Sequence, residues 1–127
     1  MKKSFTLLEL LIVVIIVGVL AMIALPNFTK MIDKAKKDQA ITYLKLIRTG
    51  EKIYYAGNSQ YIACANTSEI NSKLGVELTE DNYTFKVEGN PDITDSFKAT
   101  ATKKGAPMES IIIDQDGNIA YTTGGVL

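Results

Sequence analysis

From Phe5 to Leu25 the chain is apolar apart from Thr6 and Glu9, with Gly18 inside the block. At a helical rise of about 1.5 Å per residue this stretch spans roughly 31 Å, enough to cross the hydrocarbon core of a bilayer. Ile12, Val13, Val14, Ile15, Ile16 and Val17 are β-branched and would suit a strand in water. A continuous apolar run of this length fits a helix in lipid better, because there each backbone polar group must be satisfied within the segment. Three uses compete for such a block: a cleaved secretory signal, a permanent anchor, and an anchor that later enters a protein assembly. The basic stub Met1-Lys2-Lys3-Ser4 suits a signal peptide. The block exceeds an ordinary signal core, however, and Ala21-Met22-Ile23-Ala24 is a poor small-x-small cleavage site.

Glu9 bears on the choice. A carboxylate near the start of a spanning helix is unfavourable by a few kcal/mol at mid-bilayer, and by less near an interface. It either reaches water at the interface or needs a positive partner. No Lys or Arg follows it closely along the block; the available positive charges are Lys2, Lys3 and an N-terminal amine.

The string Lys3-Ser4-Phe5-Thr6-Leu7-Leu8-Glu9-Leu10-Leu11-Ile12-Val13-Val14, followed by Gly18, Ala21 and Pro26, resembles the N-terminal signature of type IV prepilins and type II secretion pseudopilins. The match runs from Lys3 to about Asn27. The resemblance implies that a prepilin peptidase removes the leader, residues 1–4, by cutting between Ser4 and Phe5. It implies that Phe5 becomes the N-methylated first residue and that Glu9 drives assembly. In physical terms, Glu9 would neutralise the new amine of a neighbouring subunit as it docks in a dry helical core. Gly18 and Pro26 match positions where the family's helix softens or breaks. Ser4 departs from the pattern, since Gly usually precedes the cut. The implied partners are further copies of the chain in a helical filament, the peptidase, an assembly ATPase and an inner-membrane platform protein. The implied location is the inner membrane, single-pass with the C-terminus outside, then a periplasmic or extracellular filament. Charge alone leaves orientation open, because Lys30, Lys34, Lys36 and Lys37 flank the other end of the block.

Beyond Pro26 the helix is expected to continue. Phe28, Ile32, Ala35, Gln39, Tyr43, Leu46 or Ile47, Gly50 and Ile53 recur at three- and four-residue steps, and Gly57-Asn58-Ser59 supplies stop signals. A short helix follows, capped by Thr67 or Ser68 and closed by Gly75. After Asn82 the period changes to two: Tyr83, Phe85 and Val87, then Phe97, Ala99 and Ala101, then Ile111–Ile113 and Asn118–Tyr121. Turns are expected at residues 89–92 and 104–107. The expectation is an α+β pilin fold, with a long N-terminal helix on an antiparallel sheet of about four strands. Its parts would be leader 1–4, helical spine 5–57 (5–25 transmembrane) and globular head 58–127.

Composition excludes several functions. With 14 Lys+Arg and 14 Asp+Glu the net charge is zero, so no global electrostatic case for nucleic acid arises. The chain has no His, hence no His-based triad and no imidazole metal ligand. There is no Walker loop, dinucleotide loop or Cys-His cluster, and no enzyme activity is expected. Its one cysteine, Cys64, cannot form an intrachain disulfide and reads as a small buried apolar residue. The absence of a Cys pair leans toward the pseudopilin side of the family. Asp114, Asp116 and Asn118 resemble part of a calcium loop, as major pseudopilins carry, but the distal Glu of an EF-hand is missing and Asp-Gly also suits a hairpin turn. No other cofactor is indicated. A filament subunit is therefore the expected function, with a non-assembling membrane-anchored binding module as the alternative.

Overall fold

The structure is a computed structural model that describes residues 4–105 and 108–123. Residues 1–3 of the expected leader and residues 106–107 of an expected turn lie outside the described residues. The chain divides into two units, Met1–Ala35 and Lys36–Leu127.

In the first unit, helix α1 (Leu7–Asn58, 52 residues) begins. Thr6 caps it: its Oγ1 accepts from the Glu9 backbone N–H at 3.1 Å, and its carbonyl accepts from Leu10. Every described residue of this unit is exposed, including Leu7 at 88% and Met22 at 78%. The backbone stays helical through Gly18 and Pro26, so neither breaks α1 in the single chain. Proline removes one N–H from the ladder, and a long apolar helix tolerates one lost bond. The Thr29 hydroxyl donates to the Pro26 carbonyl at 2.9 Å, within the same turns.

The second unit opens with the remainder of α1. Ala40, Leu44, Ile47, Gly50 and Glu51 are its buried positions. This stripe shares Ile47 and Gly50 with the one expected from sequence and departs from it elsewhere: Gln39 is exposed, Ile53 is 70% exposed and Tyr43 is half-buried. The step Ala40–Leu44–Ile47–Glu51 has helical spacing too, but its last member is a carboxylate, which makes it the less conspicuous of two adjacent stripes. The helix ends at Asn58, whose side chain donates to the Tyr54 carbonyl, and Ser59 takes a positive φ of 57°.

Helix α2 (Thr67–Leu74) is capped by Asn66, not by Thr67 or Ser68 as expected. Asn66 Oδ1 accepts from the Glu69 N–H at 2.9 Å, while Glu69 Oε2 accepts from the Ala65 N–H at 2.7 Å. The Glu69 carboxyl is held below its ordinary range, first by that Ala65 bond and then by Lys73. Thr67 instead turns inward, and its hydroxyl accepts from the Phe85 N–H. Gly75 closes the helix in the left-handed region, φ 67°, and donates to the Asn71 carbonyl.

Four strands follow: β1 (Tyr83–Gly89), β2 (Phe97–Lys103), β3 (Glu109–Asp114) and β4 (Ile119–Thr123). They form one antiparallel sheet in the order β1-β2-β3-β4, in agreement with the expected α+β class. The period of two sends Tyr83, Phe85, Val87, Phe97, Ala99, Ala101, Ile111 and Ile113 to one face. These join Ala40, Leu44, Ile47, Ile70 and Cys64 in a single core. Rings meet across it: Tyr43 on Phe85 at 5.7 Å, and Tyr61 on Phe97 at 4.8 Å. Gly50 permits close approach of α2, since a Cβ there would lie 3.2 Å from Leu74 Cβ.

Candidate functional site

The residues singled out from sequence fall in three places. Ser4 and Phe5 precede α1 outside any helix or strand, and Phe5 is 80% exposed. Glu9 sits in the first turn of α1 on an exposed surface whose neighbours are Leu7, Leu8, Leu10 and Leu11. The amino end of a helix favours a carboxylate by a few tenths of a kcal/mol to about 1 kcal/mol. That is smaller than the cost of placing an unpaired carboxylate in a dry, apolar setting. α1 is also long and apolar enough to cross a membrane by length and composition. With every described side chain of residues 4–35 exposed, this surface has no cover within its own unit.

The third place is the β3–β4 hairpin. Asp114 organises it: Oδ1 accepts from the N–H groups of Asp116 (3.0 Å) and Asn118 (2.9 Å), and Oδ2 accepts from Asn118 Nδ2 (3.0 Å). Burial pushes the Asp114 carboxyl up, but the bonds from Asn118, Asp116 and Gly117 together prevail and leave it below its ordinary value. Arg48 Nε donates to the Gln115 carbonyl at 3.0 Å, bringing a guanidinium to the same turn. Both oxygens of Asp114 are therefore engaged and a fixed cation already lies alongside. Among the described residues, no group of three or more His, Cys, Asp or Glu side chains is placed to hold a metal ion. Asp114, Asp116 and Asn118 as arranged form a capped hairpin turn.

One polar residue escaped the sequence reading. Glu51 is fully buried at 0% exposure in the head's core. Its Oε2 accepts from the Ile62 N–H at 2.9 Å, while Oε1 has no hydrogen-bond partner. Burial pushes its carboxyl up to about 7, against a smaller lowering by the Ile62 bond. The signal was present in the sequence: Glu51 follows Ala40, Leu44 and Ile47 at helical steps.

Comparison with known proteins places the N-terminal segment first. Residues 1–25 match the family described as the prokaryotic N-terminal methylation motif. The chain is 44% identical over 65 residues to the type IV major pilin protein PilA of Myxococcus xanthus, covering 51% of this chain and 30% of that one. It is 33% identical to a fimbrial protein of Moraxella nonliquefaciens, over 76% of this chain and 61% of the relative. It is 32% identical to the type II secretion system core protein G of Klebsiella michiganensis, over 93% of this chain and 63% of the relative. The chain thus spans between 30% and 63% of the length of these relatives. No solved structure matches. The resemblance to type IV prepilins and type II secretion pseudopilins is borne out by both the motif and the relatives. These relatives are named as pilin, fimbrial and secretion-system core proteins, none as an enzyme.

Proposed function

We propose that the chain is a structural subunit of a type IV pilus-like or type II secretion pseudopilus filament, assembled from the inner membrane through α1. The observation that carries this reading is Glu9, a lone carboxylate at the start of an otherwise apolar, fully exposed helical surface that bears the methylation motif. A permanent anchor has no use for that carboxylate. A subunit that exchanges lipid for the helices of other copies does, because helix association in an apolar setting is set by packing and by a few polar contacts.

In this reading a prepilin peptidase cuts between Ser4 and Phe5. The new amine on Phe5 is methylated and pairs with Glu9 of a neighbouring copy. The charge pair forms as both groups leave water, so each offsets the other's desolvation. Gly18 and Pro26 are places where α1 can soften on packing, since glycine lowers helix propensity and proline lacks a donor. An assembly ATPase and an inner-membrane platform protein supply the work and the template. Before assembly the precursor spans the inner membrane once, with its C-terminus outside.

The test is the N-terminus of the chain produced in a host with its own prepilin peptidase, read by intact mass and N-terminal peptide. A chain beginning at methylated Phe5 is the expected result. A chain that retains Met1–Ser4 in a host that processes its own prepilins would overturn the reading.

A further inference from the structure

The two edges of the sheet are finished differently. On β1 the outward backbone groups include those of Phe85 and Val87, and the chain covers both itself. Phe85 N–H donates to the Thr67 hydroxyl, and Val87 exchanges two backbone bonds with Cys64. On β4 the phase follows from the hairpin. Asp114 N–H donates to the Asn118 carbonyl at 3.2 Å, so Asn118, Ala120 and Thr122 turn their backbone groups toward β3. The alternate residues, Ile119, Tyr121 and Thr123, turn theirs outward. Among the described residues nothing meets the N–H and carbonyl groups of these three.

Edge strands commonly carry a lysine, a proline or a bulge that keeps other strands away. β4 reads Ile119-Ala120-Tyr121-Thr122-Thr123, with no charge and no proline, and it pairs with β3 without a bulge. A strand rich in β-favouring residues with a bare outer edge is a template for one more strand.

The side chains add a chemical preference. Tyr121 lies opposite Ile111 in the register, hence on the face of the sheet that meets α1. Tyr121 is 56% exposed, and the Lys37 ammonium stands 4.3 Å from its ring centroid. Among the described residues no carboxylate lies within ion-pair distance of Lys37. Lys37, Tyr121 and Thr123 line a hollow of about 100 Å³ together with Glu109, which belongs to β3 and so stands one strand further from the edge. A strand added beside β4 would put the residue opposite Tyr121 on this same face, with its side chain next to the hollow. A carboxylate there meets the Lys37 ammonium before it meets Glu109.

We propose that the outer edge of β4 is a docking site for an extended segment of another protein, added as a fifth, antiparallel strand with an acidic side chain opposite Tyr121 that pairs with Lys37. Backbone bonds to Ile119, Tyr121 and Thr123 supply the hold, and Lys37 supplies the preference for negative charge. The site uses none of the residues of the assembly reading.

The experiment uses the full chain in detergent micelles, with the blocked peptide acetyl-Thr-Val-Thr-Glu-Thr-Val-Thr-amide as the probe. Its alternation sends the central Glu and both valines to one face and the threonines to the other. Hydrogen exchange is read amide by amide. With the peptide at saturation, the amides of Ile119, Tyr121 and Thr123 are expected to gain about tenfold protection or more, while those of Ala120 and Thr122, which β3 already holds, change far less. The same peptide with proline at its centre lacks the middle donor and is expected to protect none of the three. Lys37→Gln is expected to weaken binding of the Glu peptide about fivefold and to leave a central-Gln peptide unchanged. No gain at the three amides, equal protection by the proline peptide, or a preference for Glu that survives Lys37→Gln overturns the proposal. So does protection that appears without peptide and grows with protein concentration, because the occupant of the edge is then a second copy of the chain.

Discussion

Residues 4–35 and the head that begins at residue 36 share one helix but handle apolar surface differently. In the first, every described side chain is exposed, the large apolar ones from Ile32 at 38% to Leu7 at 88%. In the second, Ala40, Leu44 and Ile47 are at 2% or below, because a sheet with an apolar face covers them. Each region contains one acid on its apolar side, Glu9 and Glu51. Glu9 is exposed and accessible to another molecule, whereas Glu51 is enclosed and has only the Ile62 N–H. The comparison teaches that one helix can carry a surface finished within its own chain and another left for something else to finish.

The largest effect that could break this comparison is at Glu9. Glu9→Ala is expected to abolish filaments seen by electron microscopy while the head's melting temperature is unchanged, since an exposed substitution moves stability by no more than about 0.5 kcal/mol. Filaments that persist undiminished would remove Glu9 from assembly. The converse change is Leu44→Ala. Leu44 is at 0% exposure within the core, so its loss is expected to destabilise the head by about 2–5 kcal/mol in chemical denaturation. Leu11→Ala, at a position 54% exposed, is expected to leave the same transition in place.

Much of this was legible in the sequence, and the gaps have physical causes. The apolar block and Glu9 stood out because a long run needs no tertiary context to be read. The four strands were legible for a similar reason: strict alternation in Tyr83–Val87 and Phe97–Ala101 leaves one consistent register. The buried stripe of α1 was caught at Ile47 and Gly50 but missed at Ala40, Leu44 and Glu51, because Gln39, Tyr43 and Ile53 offered an equally periodic face and only the position of the sheet decides between them. Asn66 was missed as a cap because Thr67 and Ser68 have equal local propensity; the inward turn of Thr67 toward Phe85 is a tertiary event. Glu51 was missed because a periodicity count treats every carboxylate as a surface residue.

Glu51 predicts the next largest effect, on pH dependence. Its folded value lies above the ordinary one, so the stability it contributes is present below about 4.5 and is lost as pH rises to about 7. Across that window the natural chain should lose about 2 kcal/mol relative to Glu51→Gln, read as melting temperature against pH. Glu69, Asp92 and Asp114 are shifted the other way, so their contributions are present above their ordinary values and are lost only as pH falls through lower folded values. The interval from pH 5 to pH 7 therefore isolates Glu51. A natural chain whose stability is flat there would mean that the buried carboxyl finds water without any movement of its surroundings.

The smallest effect tests whether the head's finish extends to its ends. Asn66 satisfies the Glu69 N–H, and Glu69 in turn satisfies that of Ala65, so two donors at the start of α2 depend on this pair. Asn66→Ala removes the first acceptor and leaves the second in place. A loss of about 1 kcal/mol is expected in the head's unfolding transition, within the usual range for a helix cap. Asn66→Asp keeps an acceptor at the same reach and places a negative charge at the amino end of α2, so it should recover most of that loss. Glu69 stands close to the same end, however, and a second carboxylate there repels it. If Asn66→Asp is as unstable as Asn66→Ala, the repulsion with Glu69 outweighs the restored bond, and neutrality at residue 66 is then part of what the cap requires.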